Sequence, residues 1–184
     1  MRTRGKIPQR KPKIVVRSLC AGATRGTLTY GNLTFPCALG RSGRRSIKRE
    51  GDGATPIGRL AIHRAHYRPD RLLRPAGGGG VPISPLRPSD GWCDAPTDRN
   101  YNRPVRHPYP ASAEHMWRSD RLYDVVLVLG YNLKPRIAGR GSAIFMHATA
   151  PGMKPTEGCI ALEPQHLRRL VSALRKHTVL DIPR

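Results

Sequence analysis

Acidic residues are scarce in this sequence, with 12 Asp and Glu against 33 Lys and Arg, which gives a formal net charge of +21. Such an excess of positive charge attracts polyanions, whether nucleic acid, anionic lipid or an acidic cell-wall polymer. Aromatic residues are scarce as well, at 5% of the chain. Nucleic-acid-binding modules interleave aromatic with basic side chains. Because no such motif is present, we expect no specific nucleic-acid partner.

Long apolar runs are also missing, and no window is long enough to form a transmembrane segment. The first thirteen residues, MRTRGKIPQRKPK, carry six basic side chains and no acid, and the apolar stretch that follows is interrupted by Arg17. A signal peptide needs about 7–15 uninterrupted apolar residues, so none can be read here. The chain as given is therefore expected to be soluble, with a disordered basic arm over residues 1–13 and a single domain over residues 14–184.

The four cysteines contain no C-x-x-C pair, which argues against a structural zinc ribbon. They are also too few to form a disulfide scaffold, so at most one disulfide is expected. Glycine and proline are plentiful instead, at 19 and 18 residues. These residues favour turns and short strands. We therefore predict a mainly β fold with a few helices.

Several segments carry strand or helix patterns. Residues 14–19 and 58–68 are typical of strands, and the alternating apolar residues around Gly31-Asn32 predict a hairpin. Residues 123–130 form a continuous β-branched and apolar run, which predicts a strand buried on both faces. Residues 142–147 form a second such run that should pair with it or lie next to it.

The C-terminal segment shows helical spacing. Pro164 stands where a first helical position would be, and apolar residues recur after it from Leu167 to Leu174 at intervals of three and four. By contrast, residues 68–109 are rich in Pro and Gly and cannot hold a long helix. Long loops in compact domains are usually functional, so this region is expected to supply a lid or a binding wall.

One stretch, FMHATAPGMKPTEGCIAL at residues 145–162, carries candidate chemistry. His147 ends an apolar strand, and Cys159 follows Gly158 after a loop that can fold back. A neighbouring imidazole stabilises a thiolate and lowers the pKa of the thiol, which makes an acyl-accepting nucleophile. Gly158 permits a tight turn, with the amides of Gly158 and Cys159 free to face a developing oxyanion.

Two other interpretations fit the same residues. Buried free cysteine is common, and a histidine at a strand end is often a hydrogen-bonded core residue. A metal site could be built from His147, Glu157, Cys159 and His166, although their spacing matches no known ligand pattern. The residues alone leave these alternatives open.

The motif FMH…TEGCIAL, preceded by GDGATPIGRL, resembles the L,D-transpeptidase catalytic domain family, also called YkuD-like. The family's hallmarks are a His at a strand end, a Ser/Thr-His-Gly-Cys segment before an apolar residue, and an upstream Thr-Pro-x-Gly turn, here at residues 55–58. The similarity runs from about residue 14 to about residue 174. It implies a mixed β-sheet or sandwich with a C-terminal helix.

The resemblance assigns roles to individual residues. Cys159 resembles the acylated nucleophile, His147 the general base, and Thr156 the residue that opens the nucleophile turn. Glu157 stands where the family usually has a second His, and Ala161 where an Arg or Asn is common. A carboxylate beside the sulfur would raise the thiol pKa, so we expect Glu157 to be held by a hydrogen bond or ion pair and to face away from the sulfur. In that position it could orient His147 or bind an amine of the substrate.

The reaction that the resemblance implies begins with attack of the thiolate on the carbonyl of meso-diaminopimelate in a peptidoglycan stem peptide. The terminal D-Ala leaves and a thioester forms. An amine acceptor then gives a cross-link, whereas water gives an L,D-carboxypeptidase or endopeptidase. The partners implied are peptidoglycan or muropeptides, with no cofactor. The implied location is the periplasm or cell envelope, although without a readable signal peptide the cytoplasm stays open, as does a simple polyanion-binding module.

Further residues before the central strand are expected to form the walls of the substrate groove, alongside Thr156 and Glu157. The alternative for the two tryptophans is that they anchor the core. The predicted wall residues are Trp92, Tyr101, Arg103, Glu114, His115 and Trp117.

Overall fold

The structure is a computed structural model that describes residues 11–76 and 80–184. Most of the predicted basic arm, residues 1–10, lies outside the described residues. The first strand already begins at Lys13, one residue before the predicted start of the domain. The ordered fold therefore includes the last residue that was assigned to the arm.

The described residues form fourteen strands and one helix. In chain order these are β1 (Lys13–Arg17), β2 (Arg25–Tyr30), β3 (Leu33–Ala38), β4 (Arg44–Arg45), β5 (Thr55–Pro56), β6 (Gly58–Tyr67), β7 (Ile83–Pro85), β8 (Asp90–Cys93), β9 (Arg103–Arg106), β10 (Ala113–His115), β11 (Val125–Leu129), β12 (Phe145–Ala148), β13 (Ile160–Leu162), α1 (Pro164–Ala173) and β14 (Val179–Ile182). The mainly β prediction with a C-terminal helix is confirmed.

Nine strands form the main sheet in the order β11-β12-β13-β3-β2-β1-β14-β6-β7. The ten-residue strand β6 also pairs with β11, and this pairing closes the sheet on itself. The predicted hairpin is confirmed, since Tyr30 pairs with Leu33 across a two-residue turn in which Gly31 has φ +58°. Glycine adopts this left-handed conformation without the steric penalty that a Cβ would add.

The core has two parts, which the central strand β11 separates. Because side chains alternate across a strand, Val125, Leu127 and Leu129 pack into the larger cluster, while Val126 and Val128 pack into a smaller one. All five residues of β11 are buried, as the uninterrupted apolar run predicts. Helix α1 covers the larger cluster, with Leu167 and neighbouring apolar residues buried. Cys159 belongs to the smaller cluster.

The region expected to be a loop-built lid is mostly turns and irregular chain, but it carries several short strands. Residues 83–115 contain β7 to β10, of which β10, β8 and β9 form a separate antiparallel sheet. In the described part of residues 68–109 no helix forms, as predicted. Short segments such as Asp90–Cys93 pair despite the nearby prolines, because paired edges tolerate Pro where no ladder hydrogen bond is needed.

All four cysteines are free thiols, and only Cys20 is exposed. Within residues 11–76 and 80–184, no helix has the length and apolar character needed to cross a bilayer.

Candidate active site

Two neighbouring strands bring the predicted pair together. Strands β12 and β13 run parallel, with His147 opposite Ala161, and Cys159 immediately precedes β13. The Cys159 Sγ accepts a hydrogen bond from the Phe145 amide at 3.3 Å and donates to the Ala143 carbonyl at 3.3 Å. Both His147 and Cys159 are buried and line one cavity of about 450 Å³.

The turn before the cysteine is tied together by Thr156. The Thr156 hydroxyl donates to the Cys159 carbonyl at 2.7 Å and accepts from the Gly158 amide at 3.2 Å. Gly158 has φ +127°, and a Cβ there would come within 2.8 Å of the Ala54 carbonyl oxygen. Only glycine fits this position without a shift of the backbone. Since the Gly158 amide is already engaged, the amide of Cys159 remains as the freer member of the predicted oxyanion pair.

The upstream Thr-Pro-x-Gly turn supports the nucleophile turn directly. The Thr55 hydroxyl accepts from the Gly40 amide at 2.8 Å and donates to the Cys159 carbonyl at 3.4 Å. Residue 40 must be glycine for this backbone packing, because a Cβ there would lie 2.3 Å from the Gly53 carbonyl oxygen. The motif that is distant in sequence from Cys159 therefore packs against its backbone.

Hydrogen bonding fixes the tautomer of His147. Its Nδ1 lies 2.7 Å from the Ala148 carbonyl oxygen, which can only accept, so Nδ1 carries the proton and Nε2 is left as the basic nitrogen. The ring of Tyr123 packs edge-on against the imidazole at a centroid distance of 5.3 Å. Burial lowers the pKa of His147 to about 4, the Ala148 bond opposes this, and the Arg118 charge adds to it. The imidazole is therefore neutral at pH 7.

Burial acts on the thiol in the opposite direction. It raises the pKa of Cys159 to about 12, the Glu114 carboxylate raises it further, and the bond from the Phe145 amide opposes both. The lowered thiol pKa expected from the sequence is thus wrong for the resting site, because desolvation is the largest influence on the thiol. In the resting state the cavity is therefore lined by a neutral thiol and a neutral imidazole.

A polar network lines the cavity next to this pair. The Tyr123 hydroxyl donates to the Glu114 carboxylate, and Arg118 Nη1 lies 3.7 Å from Glu114 Oε1. Burial raises the pKa of Glu114, with the Tyr123 bond and the Arg118 charge opposing it. Glu114 was predicted to line the groove, whereas Tyr123 and Arg118 were not. The only sequence signal for Arg118 was its position four residues after Glu114.

Glu157 lies at the rim of the cavity and is ion-paired. Its Oε2 is 2.7 Å from Arg41 Nε, and the two side chains are 76% and 53% exposed. Glu157 is therefore held by an ion pair, as expected, and its partner is Arg41. It does not hold His147, whose Nδ1 bonds to the Ala148 carbonyl. This geometry gives no support to an orienting role for Glu157.

The remaining predicted wall residues do not line this cavity among the described residues. Trp92 is buried, donates from Nε1 to Asn102 Oδ1 at 2.9 Å and packs edge-on against Phe145 at 5.3 Å, as its alternative role in the core requires. The buried Tyr101 donates its hydroxyl to Glu50, one of the cavity residues.

The others lie on or next to the three-stranded sheet of β10, β8 and β9, which we call the outer sheet. His115 stacks on His107 with ring centroids 3.6 Å apart. Trp117 lies beneath the Arg68 guanidinium, 3.8 Å from the ring centroid. Arg103 is exposed on β9 and lines a different cavity. Their placement depends on how residues 83–117 pack, which local patterns do not encode.

The metal alternative finds no support within the described ranges. No group of three or more His, Cys, Asp or Glu side chains in the described part of the chain is arranged to hold an ion. His166, the fourth member of the hypothetical set, stacks on Phe35 with a centroid distance of 4.6 Å.

A closed β-sheet therefore places a cysteine and a tautomer-fixed histidine in one cavity, the arrangement expected of a cysteine-nucleophile domain. The chain matches the L,D-transpeptidase catalytic domain (YkuD) over residues 23–182, nearly its whole length, and it belongs to that family. No curated protein and no solved structure matched the chain.

Proposed function

We propose that this protein is a cysteine acyltransferase that acts on peptidoglycan stem peptides through a thioester on Cys159. The observation that carries the proposal is the shared cavity of Cys159 and His147, with His147 Nδ1 tied to the Ala148 carbonyl so that Nε2 is free to take a proton. The family acts on peptidoglycan, which supports the choice of substrate and a site of action in the cell envelope.

In the first half-reaction the Sγ proton moves to His147 Nε2 as sulfur attacks the carbonyl carbon of the stem peptide. The Cys159 amide is the candidate donor to the oxyanion of the tetrahedral intermediate. When this intermediate collapses, the carbon–nitrogen bond breaks, and the leaving D-Ala amine takes the proton from the imidazolium. A thioester and a neutral imidazole remain.

In the second half-reaction an acceptor amine attacks the thioester and gives its proton to His147 Nε2. The carbon–sulfur bond breaks, an amide forms, and the thiolate recovers the proton. Burial disfavours each isolated charge on this pair. An imidazolium beside a thiolate is an opposite-charge pair, so each ion offsets part of the other's desolvation. We expect the ion pair to form during attack, after substrate has closed the cavity to water.

The test is to incubate the protein with a defined tetrapeptide muropeptide and to identify products by mass. Release of D-Ala with dimer formation supports transpeptidation, and release with a tripeptide monomer supports hydrolysis instead. Cys159→Ala should abolish release, whereas Cys37→Ala, which removes a buried thiol from the other core cluster, should retain it. Release by Cys159→Ala at the wild-type rate would contradict the proposal.

The role of His147 needs its own variant. His147→Ala should slow formation of the thioester by about 100-fold or more, since a positioned base typically supplies about 10²–10⁴-fold. A thermal melt recorded on the same sample separates loss of the base from loss of the fold. Wild-type kinetics in the folded variant would show that His147 is structural.

A further inference from the structure

A second cavity, larger than that of Cys159, is surrounded by positive charge. Its volume is about 650 Å³, and it shares no lining residue with the Cys159 cavity. Side chains come to it from β6, from β9 and the segment before it, and from the loop that follows β11. Its five cationic lining residues are Arg64, Arg99, Arg103, Lys134 and Arg136.

These cations lack carboxylate partners. In the described part of the chain, none of the five forms an ion pair. The lining holds one carboxylate, Asp98, whose Oδ1 already accepts from the Asn100 amide at 2.6 Å and the Tyr109 hydroxyl at 2.8 Å. Five like charges around one concave space repel one another unless an anion is bound.

One buried residue that lines the cavity, Asn102, is held rigidly by hydrogen bonds. Asn102 is 2% exposed, and its amide nitrogen donates to the carbonyls of Tyr131 and Asn132 while its oxygen accepts from Trp92 Nε1 and the Ala143 amide. All four hydrogen-bonding positions of this side chain are therefore satisfied. A cavity whose lining is held in place in this way is preorganised, which reduces the entropy lost when a ligand binds.

Size and charge indicate the kind of ligand. Pockets of about 300–1,000 Å³ hold small molecules or a short segment of a larger one. Guanidinium groups pair with phosphate or carboxylate oxygens through two parallel hydrogen bonds. A terminal phosphate carries about −1.5 to −2 charge at pH 7, whereas a carboxylate carries a single charge. Phosphate therefore delivers more negative charge into the same limited volume.

We propose that this cavity binds a compact polyanion with at least two phosphate groups, either a free oligophosphate or adjacent phosphate monoesters on a larger molecule. The site goes beyond the acyl-transfer function and does not use Cys159 or His147. It also contains three of the predicted groove residues, because Trp92, Tyr101 and Arg103 line this cavity.

The experiment is isothermal titration of the full chain with sodium tripolyphosphate and, in parallel, with glycerol 1,3-bisphosphate, which carries two phosphate monoesters. The cavity variant is Arg64→Gln, Arg103→Gln and Arg136→Gln combined. The matched control is Arg17→Gln, Arg45→Gln and Arg169→Gln, which removes the same charge from exposed positions outside the cavity. Thermal melts check that both variants fold.

We expect the wild-type chain and Cys159→Ala to bind at least one probe equally well. The cavity variant should lose at least about tenfold in affinity and the control less than about twofold, and the tighter probe identifies the source of the phosphate. Citrate should bind more weakly than tripolyphosphate. Absence of binding, equal losses in the two variants, or citrate binding as tightly would each overturn the proposal. If the triple variant fails to fold, the single substitution Lys134→Gln, at an exposed position, must still weaken binding measurably.

Discussion

At the scale of single residues, burial governs the chemistry of the candidate pair. The pKa of His147 falls to about 4 and that of Cys159 rises to about 12, in both cases chiefly because water is excluded. Each group is therefore neutral near pH 7 before the reaction begins. The thiolate and the imidazolium form only during attack on the substrate. The site is consequently protected from unproductive reactions of a permanent thiolate, since the thiolate and not the thiol is the nucleophile.

The lowered pKa of His147 predicts how stability depends on pH. Between the ordinary pKa of about 6.5 and about 4, the unfolded chain binds a proton that the folded chain does not. The stability contributed by neutral His147 is therefore present above pH 6.5 and is lost as pH falls through this window, to an extent of about 3 kcal/mol. Denaturant unfolding at several pH values should show a smaller slope for His147→Gln. The control His63→Gln, at an exposed position, should keep the wild-type slope.

Glu157 supplies a second prediction at this scale. Its ion pair with Arg41 is largely exposed, so its contribution to stability should be small, and Glu157→Gln should leave the melting temperature nearly unchanged. Because His147 is oriented by a backbone carbonyl, acylation by a substrate without an amine should also be unaffected. Reaction with amine-bearing peptides should weaken. Equal slowing with every substrate would instead assign Glu157 to the orientation of His147.

Residue identities were predictable where the signal was local. His147, Thr156, Glu157 and Cys159 fall in one short stretch of sequence, and the structure brings them to one cavity. Tyr123 was missed because its apolar neighbours gave it the pattern of a buried strand. Its hydroxyl reaches Glu114 only through the packing of β11 against the outer sheet, a tertiary arrangement without a sequence period.

At the scale of elements, the nucleophile turn depends on a segment about a hundred residues upstream. Ala54 and Thr55 pack against Gly158 and Cys159 through a close backbone approach and a shared hydroxyl. Sequence patterns found β1, β2, β3, β6, β11, β12 and α1, because each has a clear apolar run, hydrophobic period or turn signal. They missed β8 to β10, because those strands are three or four residues long and interrupted by Pro and Gly.

Thr55→Val tests the link between the two segments. The change keeps the shape of the side chain, but it leaves the buried Gly40 amide without its acceptor. Leaving such a donor unsatisfied should reduce the free energy of unfolding by about 1–3 kcal/mol. Acylation of Cys159 should slow as well, because the turn loses one of its supports. Thr27→Val, at an exposed position on β2, should change stability by less than about 0.5 kcal/mol.

At the scale of the whole molecule, positive charge and the buried site are separate features. In residues 11–76 and 80–184, nearly all Lys and Arg side chains lie outside the buried core, whereas Cys159 and His147 are enclosed. Composition alone indicated attraction to polyanions, but it could not show that five unpaired cations converge on one cavity. That convergence depends on the closed sheet and on the position of the outer sheet beside it.

Separation of charge and chemistry predicts two different salt dependences. Binding to intact peptidoglycan sacculi should weaken steeply as salt rises, because exposed charges more than about 8 Å apart are largely screened at 0.15 M ionic strength. Turnover of a small soluble muropeptide should change much less. Both are measurable on one preparation by a pull-down and a product assay. Equal sensitivity would mean that the surface charge also acts within the reaction site.

The most direct measurement of the central claim is peptide mapping by mass after reaction with a carbapenem, an acylating agent for thiols of this family. The account predicts a covalent adduct on Cys159 alone, because among the four cysteines only its thiol shares a cavity with a basic imidazole nitrogen within the described residues. The adduct should be lost in Cys159→Ala and should form slowly in His147→Ala. An adduct on Cys20, Cys37 or Cys93, with Cys159 unmodified in folded protein, would contradict the account.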